Sequence, residues 1–184
     1  MDLVDLIAEK RWLGQEFLTW LWFKSDERGG TIALPERGDI SVTFEKHMSL
    51  ESGEGESLER ITCSGQQSEL REARTGLAMG KKLESARISF GFNDYEFSVT
   101  LSGSLMEYRS AALPKTEGTE VDGSNPEEVE GMVLERIFLL EELTKTVNEC
   151  FKMFLDLRLS DGWRDEVSQI REWVEKNAEV VTFD

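Results

Sequence analysis

Apolar positions along this chain change rhythm several times, and each rhythm predicts an element. From Leu3 to Lys24 they fall at helical spacing, first as Leu3, Leu6 and Ile7. They then crowd almost every side as Phe17, Leu18, Trp20, Leu21, Trp22 and Phe23. A helix that is apolar all round is buried on several faces or sits at an interface. Gly14 is a place where this helix could break, and Ser25, Asp26 and Arg28-Gly29-Gly30 stop it. The period then drops to two. Thr31–Leu34 is a short strand ending at Pro35. Asp39–Leu50 puts Ile40, Val42 and Phe44 on one face, and Ser41, Thr43 and Glu45 on the other. That alternation marks a half-buried strand.

The polar run Ser52–Ser57 predicts a loop, and Leu58–Cys63 a returning strand. Gln66 to Met79 has helical composition and spacing, with Gly80 as its stop, since glycine enters the left-handed region at little cost. Arg87–Phe92 and Tyr95–Leu101 alternate again around Asn93-Asp94, a two-residue turn signal. Leu105–Ala112 follows as a third strand of an antiparallel meander with one wet face.

Pro114 to Asn125 reads as an acidic linker. Asn125-Pro126-Glu127-Glu128 then opens a helix: asparagine caps free N–H groups, proline suits the first position, and glutamates favour the positive end of the dipole. That helix is predicted to run to Leu159, about 50 Å at 1.5 Å per residue. Its apolar stripe is Val129, Met132/Val133, Ile137, Leu140, Leu143, Val147, Cys150/Phe151 and Phe154. Phe138, Leu139 and Leu155 widen the stripe and predict a second buried face. Ser160-Asp161-Gly162 turns the chain into a last amphipathic helix carrying Trp163, Val167, Ile170, Trp173 and Val174.

These elements make an α+β fold. An antiparallel β-sheet carries an inserted helix, an aromatic-rich N-terminal helix and a long C-terminal helical region. The expected organisation is a sheet domain over 1–113, an acidic linker over 114–125, and a helical region over 126–184 packing on the sheet.

Composition narrows the class. The 184 residues are 39% hydrophobic, with ten Phe, five Trp and only three Pro, which suits a packed core rather than disorder. No run approaches the roughly 18 apolar residues that cross a bilayer. The acidic start, MDLVDLIAEKRWLG, lacks an apolar signal core, so a cytoplasmic protein is expected. Cys63 and Cys150 then read as free, buried thiols.

Catalysis has few residues to work with. His47 is the only histidine, so a multi-histidine metal site within this chain is ruled out. No CxxC is present, and Gly80-Lys81-Lys82 lacks the flanking residues of a phosphate loop. The acid groups Glu51/Glu54/Glu56 and Glu117/Glu120/Asp122 read as solvated loops. The chain is expected to be non-enzymatic, without cofactor or metal.

Charge singles out one segment. The whole chain carries 37 Asp+Glu against 21 Lys+Arg, net −16. Residues 60–115 hold eight cations against six acids, net +2, between two strongly acidic flanks. Within it Arg71 and Arg74 lie three apart on one helix, Lys81 and Lys82 follow its end, and Arg87 opens the next strand. These five are the candidate phosphate contacts. Trp12, Phe17, Trp20, Trp22 and Phe23 are candidates for core or subunit interface.

The same segment has a telling order of parts: the strand Glu59–Cys63, a Glu/Arg-rich helix, Gly80-Lys81-Lys82-Leu83, the strand Ala86–Phe92, further strands through Leu101–Leu105 and Met106-Glu107-Tyr108-Arg109, then a long apolar helix. It resembles the C-terminal half of the recombination-associated protein RdgC family, most of all in Gly-Lys-x-Leu followed by Arg-Ile-Ser-Phe. The resemblance implies a non-catalytic protein that binds double-stranded DNA without sequence preference, as a ring-like homodimer associated with the nucleoid, and that restrains recombinase activity. The five cations would face phosphates. The alternative that the acidity supports is an interaction or inhibitor module that binds a recombinase or other basic protein, or mimics DNA charge, without touching DNA.

Overall fold

A computed structural model describes residues 12–53, 57–64, 69–115 and 125–178. The first expected helix is α1, Trp12–Glu27; Leu3 to Arg11 lie outside the described residues. Gly14 does not break α1. It lies in the first turn, where its missing side chain lets the helix press on the Gly103 backbone. Gly29 and Gly30 both take positive φ and reverse the chain into the sheet.

The described residues then form six antiparallel strands: β1 (Thr31–Leu34), β2 (Gly38–Ser52), β3 (Glu59–Ser64), β4 (Lys82–Phe92), β5 (Tyr95–Ser102) and β6 (Tyr108–Ala112). The order is β1-β2-β4-β5-β6. β2 is long enough to serve two partners on one edge, β1 along residues 38–41 and β3 along 47–52, while β4 runs along its other edge. β4 begins five residues before the expected start at Arg87, because a hidden irregularity interrupts its alternation. Ser49 pairs Ser85 but Leu50 pairs Leu83, which leaves Glu84 as an extra residue. The bulge sends Leu83 into the core. Glu84 is held by Gln15 Nε2 at 2.7 Å and by the hydroxyls of Ser102 and Ser104. Asn93 and Asp94 both have positive φ and close the β4–β5 hairpin in the two-residue turn expected of them.

Between β3 and β4 lies α2 (Glu69–Ala78), and the chain ends in α3 (Pro126–Arg158) and α4 (Trp163–Ala178). Asn125 Oδ1 accepts from the Glu127 N–H at 3.2 Å, the cap expected at the start of α3.

One apolar cluster unites the sheet with the helices. Val42, Leu50, Ile88, Phe90, Phe97, Val99 and Leu101 come from the sheet, Phe17, Leu18, Leu21 and Trp22 from α1, and Leu143, Val147, Cys150 and Phe154 from α3. Phe154 meets Phe17, Trp20, Phe151 and Trp163 at centroid distances of 5.6–5.9 Å. The aromatics expected at a core or interface are therefore core. Phe17, Trp20, Trp22 and Phe23 are all buried within this one chain. Trp12 is half-buried, with the Arg158 guanidinium 5.5 Å from its ring.

The first half of α3 departs from expectation. Its buried face is Leu139, Leu143, Thr146, Val147, Cys150 and Phe154. Val133, Ile137 and Leu140 of the expected stripe are 46%, 48% and 43% exposed, as are the neighbouring Leu134 and Phe138 at 59% and 50%. These side chains lie off the face that Leu139 and Leu143 turn to the core. Among the described residues no helix is long and apolar enough to cross a membrane.

Candidate nucleic-acid interface

Of the five cations singled out in the sequence, the four whose side chains are described do not share one surface. Arg74 is held inside a helical corner. It pairs with Asp26 and lies 5.4 Å and 5.7 Å from the rings of Trp22 and Trp173. Asp26 in turn accepts from Trp173 Nε1 at 3.2 Å. Lys81 is 8% exposed, with Nζ 2.9 Å from both Ser52 Oγ and Glu59 Oε2. The hydrogen bond from Lys81, then its charge, lowers the Glu59 carboxyl below the ordinary carboxylate value. Lys82 is exposed and has no ion pair among the described residues. It lines a groove of about 460 Å³ between α1, α2 and α4. Arg87 stands on the other side of the sheet from Arg74 and Lys81. The side chain of Arg71 lies outside the described residues. Helical spacing and chain proximity could not reveal that the sheet separates Arg87 from Arg74 and Lys81, nor that Lys81 would fold inward.

That other side is the sheet's wet face. The period-2 alternation that buries Ile40, Val42, Ile88 and Val99 turns Ser41, Thr43, Glu45, His47, Arg87, Ser89, Ser98 and Thr100 outward. The register adds Arg60 and Thr62 from β3 and Arg109 from β6. Sequence reasoning passed over Arg60 and Arg109, which sit 49 residues apart with no motif joining them. The period-2 phase of their strands was the available signal, but only the strand pairing brings them together.

Two features shape this face. At its middle, Glu45 lies among Arg87 Nε at 3.0 Å, Ser89 Oγ at 2.7 Å and Ser98 Oγ at 2.5 Å. Burial alone would raise the Glu45 pKa. The hydrogen bonds from Ser98 and Ser89, with the charge and hydrogen bond of Arg87, outweigh it and hold the carboxyl below its ordinary value. Toward β3 and β6 the face dips into a hollow of about 380 Å³, lined among others by His47, Ser49, Arg60, Thr62 and Arg109. The Arg60 and Arg109 side chains are 59% and 62% exposed although each touches a carboxylate, Glu51 and Glu107. The buried Ser49 hydroxyl has no hydrogen-bond partner among the described residues. A planar guanidinium carries five N–H donors, so an arginine already held by one carboxylate can still donate to an anion.

Among the described residues no cluster of three or more His, Cys, Asp or Glu could hold a metal ion. Burial, then the neighbouring Glu149, pushes the Cys150 thiol up to about 12, far from a reactive thiolate.

Comparison of this chain with protein-family models, curated proteins and solved structures finds no match.

Proposed function

We propose that this chain is a non-catalytic, double-stranded-DNA-associated protein of the RdgC type, and that it meets the duplex through the wet face of its sheet. The observation that carries the reading is the hollow on this face lined by Arg60, Arg109, His47 and Thr62. Arginine and hydroxyl groups are the usual donors to phosphate and sugar, and such contacts are blind to sequence. The order β3, α2, Gly80-Lys81, β4, β5, β6, α3 also follows the order of parts in which the resemblance to that family was found.

Charge limits how strong such binding is. Each arginine on this face already neutralises a carboxylate, and the net charge of −16 repels a polyanion at long range. The expected affinity is therefore that of weak non-specific binding, with Kd on the order of 10⁻⁴ to 10⁻⁶ M. Three phosphate contacts, from Arg60, Arg87 and Arg109, would give a log–log salt slope of about −3.

Fluorescence anisotropy on unrelated 20-base-pair duplexes across a salt series tests this. Arg109→Gln removes a surface guanidinium without stranding a buried group, so it reports binding rather than folding. It is expected to weaken binding several-fold and to reduce the slope by about 1. Lys152→Glu, an exposed position on α3, which packs on the dry side of the sheet, is expected to change the affinity much less. No binding at low salt, or equal binding by the Arg109→Gln variant, rejects the assignment.

A further inference from the structure

The leading half of α3 leaves five large apolar side chains in water. Val133, Ile137 and Leu140 are spaced four and three apart, so they form one seam, flanked by Leu134 and Phe138. Thr144 extends the seam, and a shallow depression of about 330 Å³ lies along Ile137, Leu140 and Thr144. Contiguous apolar exposure of this kind marks an interaction site.

The charges around the seam decide what fits it. Residues 126–145 hold six glutamates against Arg136 and Lys145, net −4. Lys145 is already engaged by Glu141 and Glu142 at 3.6 Å and 3.1 Å. Glu142 is also gripped by Arg37, whose hydrogen bond is the main reason its pKa is lowered. Glu127, Glu128, Glu130, Glu135 and Glu141 are exposed. A second copy would bring a like-charged rim against this one, and an anionic lipid surface would be repelled. A cationic amphipathic helix would match both the apolar seam and the rim.

We infer that the exposed face of α3 is a docking site for a basic amphipathic helix of a partner protein. The inference takes up the reading of this chain as an acidic interaction module. It stands or falls separately from DNA binding, because α3 and the wet face use different residues. From Val133 to Thr144 the seam spans about 16 Å, which matches roughly three turns of a partner helix.

The test uses the full chain and labelled 14-residue peptides of leucine and lysine. One has its leucines on a single helical stripe; a second has the same composition scrambled; a third replaces lysine by glutamate. The striped lysine peptide is expected to bind, and the other two to bind at least about tenfold more weakly, a difference of 1.4 kcal/mol. Ile137→Ser/Leu140→Ser should weaken the striped peptide by about tenfold or more. Circular dichroism should stay unchanged, since both side chains are half in solvent. Glu135→Gln/Glu141→Gln should weaken binding a few-fold and flatten its salt dependence. Equal binding of the scrambled peptide, or no effect of Ile137→Ser/Leu140→Ser, overturns the inference. Sedimentation separates the remaining case. A chain that dimerises through Ile137 and Leu140 and ignores the peptide is still an interaction module, but its partner is itself and not a basic helix.

Discussion

At the scale of single residues, Gly14 shows how context reverses a general preference. In an exposed helix, replacing glycine by alanine gains about 1 kcal/mol. Here a Cβ on Gly14 would stand 1.9 Å from the Gly103 carbonyl oxygen and 3.0 Å from Met106 Sδ. The clash is with backbone, so α1 or the β5–β6 turn must move, at a cost of about 1–3 kcal/mol or more. Gly14→Ala is therefore expected to lower stability despite its better helix propensity, read as a lower urea midpoint at unchanged slope. A rise in the midpoint would show that the turn yields freely. The same turn anchors Glu84: Gly103 N donates to the Glu84 carbonyl at 2.6 Å, and Gln15, one residue after Gly14, binds its carboxylate. A close glycine contact and a buried carboxylate thus fix one junction.

At the scale of elements, α3 has two characters. From Leu139 onward it is stapled to the core by Leu139, Leu143, Val147, Cys150 and Phe154, while the turns before Leu139 rest mainly on their own hydrogen bonds and the cap. Asn125 serves that cap twice, accepting from Glu127 N–H and donating from Nδ2 to Glu128 Oε1 at 2.9 Å. Because no side chain before Leu139 is fully buried among the described residues of α3, loss of the cap should act locally. Asn125→Ala is expected to cost about 1 kcal/mol of helix stability. Amide exchange should quicken about fivefold in the first turns and leave Val147 to Phe154 at the global rate. A uniform change along α3 would mean that the two halves open together.

At the scale of the whole molecule, the large acid excess couples stability to pH. Glu45, Glu59 and Glu142 all have pKa values lowered in the folded protein. Their contribution is therefore present above the unfolded carboxylate pKa of about 4.3 and is lost as pH falls through the lower folded values. Glu59 counts least, because its side chain is 76% exposed and water screens its pair with Lys81. Glu45, clamped by three donors, should carry most of the effect. Thermal midpoints measured from about pH 7 to pH 2 are expected to fall most steeply below about pH 4. Glu45→Gln should flatten part of that fall while lowering stability at neutral pH. An unchanged acid limb in this variant would place the coupling elsewhere.

The sequence by itself determined the elements and the faces of most of them. Alternation in Ile40-Val42-Phe44 and Ile88-Phe90-Phe92 specified which sheet face is dry, because a one-residue slip would expose the whole set. Asn125-Pro126 and Asn93-Asp94 specified a helix start and a hairpin through local backbone chemistry alone. Only the tertiary structure decided where charges and apolar side chains ended up relative to one another. The bulge at Glu84 hid the start of β4. Pairing of β2 with β3, and of β5 with β6, assembled Arg60 and Arg109 on one face, while the sheet set Arg87 apart from Arg74 and Lys81. Packing turned Leu139 and Leu143 of α3 to the core and left Val133, Ile137 and Leu140 in solvent. Local pattern encodes which side of an element is apolar. Whether that side is covered depends on what the rest of the chain brings to it, and that is a matter of long-range packing.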